Sequence, residues 1–142
     1  MTVQLALRKD DARLTARFIQ WWTGSPYSHC ELVVDGLCYS SSAMDGGVRC
    51  KAIDLDPDKW DVLELPWADA SQIVSYFYET DHHRYGWFGL ICSQLFNLNR
   101  ETAGAQFCSQ WCGAALGLPA PASLSPRTLG EWCAYLGSPA AA

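Results

Sequence analysis

Histidine is scarce in this chain, with three in 142 residues (His29, His82, His83), so acid–base chemistry near neutral pH has few carriers. Basic residues are few as well. Ten Lys and Arg stand against 15 Asp and Glu for a net charge of −5, and no basic cluster interrupts that balance, which argues against a nucleic-acid partner. Long apolar runs are missing: Tyr85 to Asn99 is uncharged but shorter than the roughly 20 residues a membrane span needs, and it carries Ser93, Gln94 and Asn97. No membrane span is expected. The N-terminus, MTVQLALRKDD, reaches charge without an apolar signal core or a small-residue cleavage site, so secretion by that route is not expected. Also missing are a G-x-S-x-G nucleophile elbow, a G-x-x-x-x-G-K-[ST] phosphate loop and paired C-x-x-C sites for zinc.

Seven cysteines (30, 38, 50, 92, 108, 112, 133) make an odd number without paired spacing. They are about 5% of the chain, below the roughly 8–10% of disulfide scaffolds. Reduced thiols packed as small hydrophobes in a cytoplasmic protein fit that usage. With 49% hydrophobic residues the chain can bury one sizeable core, and residues 1–142 read as one domain whose tail, 137–142, is expected to be disordered. The acidic run Asp54, Asp56, Asp58, Asp61, Glu64 and Asp69 reads as a solvated face.

Periodicity predicts a first strand over 2–7 and then an amphipathic helix from Asp10 or Asp11 to about Trp22, with Leu14 and Phe18 on its buried stripe. Tyr27 to Val34 reads as a strand, Asp35-Gly36 as a hairpin turn, and Leu37–Ser42, Val48–Ile53 and Trp60–Leu65 as the later strands of an antiparallel meander. After Pro66 the period becomes helical. Ala70, Ile73, Val74, Phe77 and Tyr78 share a face behind a cap at Asp69 or Ser71. Trp87–Leu98 predicts a buried helix, Gln106–Leu116 a helix closed by Gly117 and Pro119, and Ser125-Pro126 the start of a last helix to about Tyr135. The fold class is α+β, a central antiparallel sheet packed by helices.

Two places carry chemistry. In the strand Ser28-His29-Cys30-Glu31-Leu32-Val33-Val34, Glu31 follows His29 by two and shares its face, so a carboxylate can hold one ring nitrogen and leave the other free as a base. The same alternation also suits the solvent face of an edge strand, with Cys30, Leu32 and Val34 turned to the core. Cys108 opens the helix predicted from Gln106, behind the small residues Thr102 to Ala105, where unpaired backbone N–H groups would stabilise a thiolate and later an oxyanion. Cys108 and Cys112, at i and i+4, equally suit two small residues on one buried stripe, or a thiol redox pair. His82-His83 reads as an exposed helix end.

The segments YSHCELVVDGLCYSSS, DGGVR, YGWFGL and FCSQWCGAALGL together resemble the circularly permuted NlpC/P60-like papain superfamily, the YiiX/YebB-like and lecithin-retinol acyltransferase-like proteins, over about residues 20 to 135. The resemblance implies a papain-like fold in which the His strand precedes the Cys helix. It implies Cys108 as nucleophile, His29 as general base and Glu31 as the residue that orients the imidazole, with Ser40, Ser41 and Ser42 as rivals for that third place. Tyr85 and Ser109 would line the substrate or oxyanion site. Relatives often carry a carboxylate two places after the Cys, where this chain has Gln110. The reaction implied is hydrolysis of a peptide or cell-wall-type amide through an acyl-enzyme, with the backbone N–H of Cys108 on the oxyanion and neither cofactor nor metal required. Lipid or thioester acyl transfer and non-catalytic lipid or peptide binding are the alternatives.

Overall fold

The computed structural model describes residues 2–9, 27, 29–42, 47–81, 100–121 and 124–139, of which 100–107 are described as backbone only. Strands β1 (Val3–Arg8), β2 (His29–Val34), β3 (Leu37–Ser42), β4 (Gly47–Lys51) and β5 (Trp60–Glu64) come before helices α1 (Ala70–Asp81), α2 (Arg100–Ala115) and α3 (Pro126–Leu136). The architecture is α+β, as the periodicity predicts. The helices expected over 10–22 and 87–98, with Leu14, Phe18 and Trp22, lie outside the described residues.

All neighbouring strands are antiparallel, in the order β4-β3-β2-β1-β5. The β2–β3 hairpin turns through Asp35 at φ 49° and Gly36 at φ 84°, the two positive values that match the right-handed strand twist. The expected meander holds only as far as β4. Instead of adding beside β4, β5 pairs with β1 on the opposite side of the sheet, Leu5 facing Leu63 and Arg8 facing Trp60. The connection explains the jump: Ile53 and Leu55 pack on Ala6, Val33, Cys38 and Trp60, so the chain crosses the outer face of the sheet to reach the free edge of β1. Both faces are therefore covered, and β2 is the central strand.

The other face carries Leu5, Leu7, Cys30, Leu32, Tyr39 and Val48 against Ile73 of α1, Cys108, Trp111 and Cys112 of α2 and Leu129 and Cys133 of α3. Removing each such apolar side chain from water contributes roughly 1.5–3 kcal/mol. α1 starts at Asp69, whose Oδ1 accepts from the Ser71 N–H at 2.9 Å. Tyr78, expected on the buried stripe, is 59% exposed, while Thr80 is buried. The Thr80 hydroxyl donates to the Tyr76 carbonyl at 2.8 Å and accepts from Trp111 Nε1 at 3.0 Å, so this polar side chain gains two partners inside.

α2 begins six residues before the expected Gln106 and closes in a Schellman motif, with Leu118 N–H on Gly113 O at 2.9 Å and Gly117 N–H on Ala114 O at 3.0 Å. Gly117 takes φ +72° there, which suits a residue without a Cβ. α3 starts as expected at Ser125, whose hydroxyl accepts from Thr128 N–H at 3.2 Å with Pro126 in the first turn. Gly137 and Ser138 are tied to this helix, their N–H groups on Cys133 O and Tyr135 O, where the sequence suggests a loose tail.

Candidate active site

His29 and Glu31 project from the same side of β2, as alternation requires, but that side is largely covered, the His29 side chain keeping 21% of its surface in solvent. Glu31 has no exposed surface at all. The edge-strand reading therefore fails, because β2 has a neighbour on each side and the β4–β5 connection lies over its outer face. A buried carboxylate needs compensation, and Glu31 has it twice. Arg49 of β4 donates from Nη1 to Oε2 at 2.6 Å and from Nη2 to Oε1, a two-pronged clamp, and His29 Nε2 lies 2.6 Å from Oε1. Burial pushes the Glu31 carboxyl up, but the hydrogen bonds and charges of Arg49 and His29 win and hold it below the ordinary carboxylate value.

The other end of the imidazole meets α2. Cys108 packs with Cys30 and Leu32 in the core, has no exposed surface, and lies near enough to the His29 ring for each to shift the other's ionisation. With Nε2 engaged by Glu31, the nitrogen left for the thiol is Nδ1. In the neutral ring, Nε2–H donates to the carboxylate and Nδ1 accepts, which is the tautomer a base at Cys108 requires. Burial alone would raise the Cys108 thiol. The hydrogen bond from Cys30, the charge and hydrogen bond of His29 and the Cys30 backbone N–H reverse that and bring it down to about 5. Burial likewise opposes the imidazolium, yet the Cys108 thiolate and Glu31 carry His29 up to about 10. Both shifts favour the thiolate–imidazolium form of the pair.

One expectation about Cys108 is overturned. It is the ninth residue of α2, more than two turns from the helix start, so neither the unpaired N–H groups nor the positive end of the dipole reaches it. The helix extends to Arg100 through the small residues that read as a loop. The backbone N–H of Cys108 sits inside the helical ladder, committed to the carbonyl four residues back, and is not an oxyanion donor. The neighbours His29 and Cys30, rather than the helix end, lower this thiol.

Among the rivals for the third position, Ser40 Oγ donates to Cys30 O at 2.8 Å and Ser41 Oγ is buried without a hydrogen-bond partner. The hydrogen-bond partner of the imidazole is Glu31 instead. Ser109 is buried and its hydroxyl donates to Leu124 O at 2.5 Å, which ties α2 to the segment before α3 and turns that hydroxyl away from an oxyanion role. Tyr85, His82 and His83 lie outside the described residues. Cys112 is one turn below Cys108, and its Sγ lies 3.8 Å from Cys30 Sγ. Trp60 stands edge-on to the His29 ring with centroids 6.5 Å apart, and the Arg8 guanidinium lies 5.5 Å from the Trp60 ring. Arg49 is the site residue that sequence reasoning did not single out, although it closes the quoted segment DGGVR.

Among the described residues no group of three or more His, Cys, Asp and Glu side chains is placed to hold a metal ion, and no helix is long and apolar enough to cross a membrane. Among the described residues the six cysteines form no disulfide. Comparison with known proteins gives no matching family model, no similar curated protein and no similar solved structure.

Proposed function

We propose that this chain is a cysteine-dependent acyl hydrolase with a Cys108–His29–Glu31 triad on a papain-like, circularly permuted NlpC/P60 fold. The observation that carries this reading is the His29 ring held between a clamped carboxylate and a thiol of lowered pKa. The order of parts, His strand before Cys helix, supports the permuted arrangement. The thiolate of Cys108 attacks a carbonyl carbon, and the imidazolium of His29 gives its proton to the departing amine or alcohol. Neutral His29 then takes a proton from a water whose oxygen attacks the thioester carbon; the C–S bond breaks, the acid leaves, and the Cys108 thiolate and His29 imidazolium are restored.

The substrate class we propose is a peptide or cell-wall-type amide. The sulfur has no exposed surface, so the acyl group must displace whatever covers it. Free thiols suit a reducing, cytoplasmic setting. A second reading, a thiol redox protein, draws on the Cys30–Cys112 contact. Turnover of amide, ester and thioester panels by wild type, Cys108→Ala and Cys112→Ser separates the two. Hydrolysis lost with Cys108 and kept without Cys112 supports the hydrolase, and activity lost with Cys112 sinks it.

A further inference from the structure

We infer that Arg49 is a positioning residue of this site, setting the tautomer of His29 through the ionisation of Glu31. The inference rests on the acyl-hydrolase reading. Glu31 has no exposed surface and Arg49 is 8% exposed, so the pair is shielded from water. Their register makes the contact a built one: Arg49 faces Ser40 on β3, which runs beside β2, and its fork spans both carboxylate oxygens.

The chemistry turns on which partner carries the proton at Nε2. An ionised Glu31 can only accept, so the proton of the neutral ring stays on Nε2 and Nδ1 faces Cys108 as an acceptor. A protonated Glu31 would donate to Nε2 instead. The neutral ring would then carry its proton on Nδ1 and could not take one from the thiol. Burial by itself favours that protonated acid, and Arg49 opposes it with two hydrogen bonds and a charge. Arg49 also balances the carboxylate charge, so that Glu31 orients the imidazolium without retaining the proton the leaving group needs.

The other charged or titratable groups around this pair do not replace the clamp. Cys38 of β3 is pushed up to about 11 by burial and by the Glu31 charge, and stays neutral. Arg8 of β1 faces His29 in the ladder but leans over Trp60. Cys30 and Cys108 lie on the side of the ring that faces α2.

The test is the ultraviolet absorbance of the Cys108 thiolate against pH, taken as the difference from Cys108→Ser in each background: wild type, Arg49→Met, Arg49→Gln, Arg49→Lys, Glu31→Gln and Glu31→Gln/Arg49→Met. Absorbance reports ionisation without needing a reagent to reach the buried sulfur. We expect Arg49→Met to move the thiolate midpoint up by at least one pH unit, a loss of about tenfold in thiolate on the acid side. Glu31→Gln should do the same, because Arg49 claims the amide oxygen and turns the amide N–H₂ toward Nε2. The double variant should shift no further than the larger single, since the two residues act along one line. An unmoved midpoint in Arg49→Met, or single shifts that add in the double, overturns the inference while the hydrolase reading stands. A wild-type midpoint at the ordinary thiol value removes the hydrolase reading and the inference together. Arg49→Lys keeps the charge that holds Glu31 ionised and should move the midpoint less than Arg49→Met. Should Arg49→Met fail to fold, Arg49→Gln decides, because it keeps hydrogen-bonding capacity and loses the charge: an upward shift supports the role, and a wild-type midpoint overturns it.

Discussion

His29→Ala puts the thiol–imidazole pairing at risk most sharply, because it removes one neighbour and leaves the burial of Cys108 in place. In wild type the thiol sits at about 5 against an ordinary 9.0, lowered by Cys30 and His29 against the effect of burial. Without the imidazole, burial works against the Cys30 contacts alone, and the thiol should return to 9 or above. At pH 5 about half of wild-type Cys108 is then thiolate, against about one in ten thousand in the variant. Nucleophilicity falls with pKa at a Brønsted slope of about 0.5, so the low-pKa thiolate is about 100-fold less reactive per ion, and the net advantage at pH 5 is about 50-fold. At pH 7 the two effects nearly cancel, and above pH 9 the variant should be faster. The assay is formation of the mixed disulfide at Cys108 with a small uncharged disulfide, counted by peptide mass spectrometry from pH 4.5 to 9.5. Crossing profiles are expected; parallel profiles with equal midpoints would mean that His29 does not control this thiol.

Three further outcomes follow from the same contacts. Glu31 has a depressed folded pKa, so its stabilisation is in place above its ordinary 4.5 and is lost as pH falls through the folded value. Glu31→Gln should flatten the fall in denaturant stability between pH 6 and 3, and should cost roughly 3–5 kcal/mol at pH 7 by leaving Arg49 buried without its counter-charge. Cys112→Ser should leave the Cys108 thiolate midpoint within a few tenths of a pH unit, since the groups that lower Cys108 are Cys30 and His29; a shift of a full unit would tie Cys112 to the site. Ser41→Ala removes a buried hydroxyl that has no partner, and should raise stability by about 1 kcal/mol and the melting temperature by about 3 °C, as calorimetry would show.

The strands, the Asp35-Gly36 hairpin and the Ser125 cap were legible because each depends on neighbours within a few residues. The shared face of His29 and Glu31 was legible too, being a consequence of strand period. What lies across the sheet was not. Arg49 reaches Glu31 only because β4 pairs with β3 in one register, 18 residues from its partner, and nothing local marks that. The displacement of β5 to the β1 edge depends on Ile53 and Leu55 finding the outer face, a tertiary event that a meander of short strands does not announce. Residues 102–105 are small, with Gly104 among them, which reads as a loop, yet they continue the helix. That error moved Cys108 from a helix end to its middle, and with it the cause of the lowered thiol pKa from a dipole to side-chain neighbours.

The most direct test of acyl transfer at Cys108 is to trap its product. Wild-type protein is mixed with an activated acyl ester, quenched in acid within the first turnover, and its mass is read intact and by peptide. An adduct of the acyl mass on Cys108, absent in Cys108→Ala and slow to form in His29→Ala at pH 5, is the expected result. An unmodified Cys108, or acylation spread over Cys38, Cys50 and Cys133 and indifferent to His29, contradicts it.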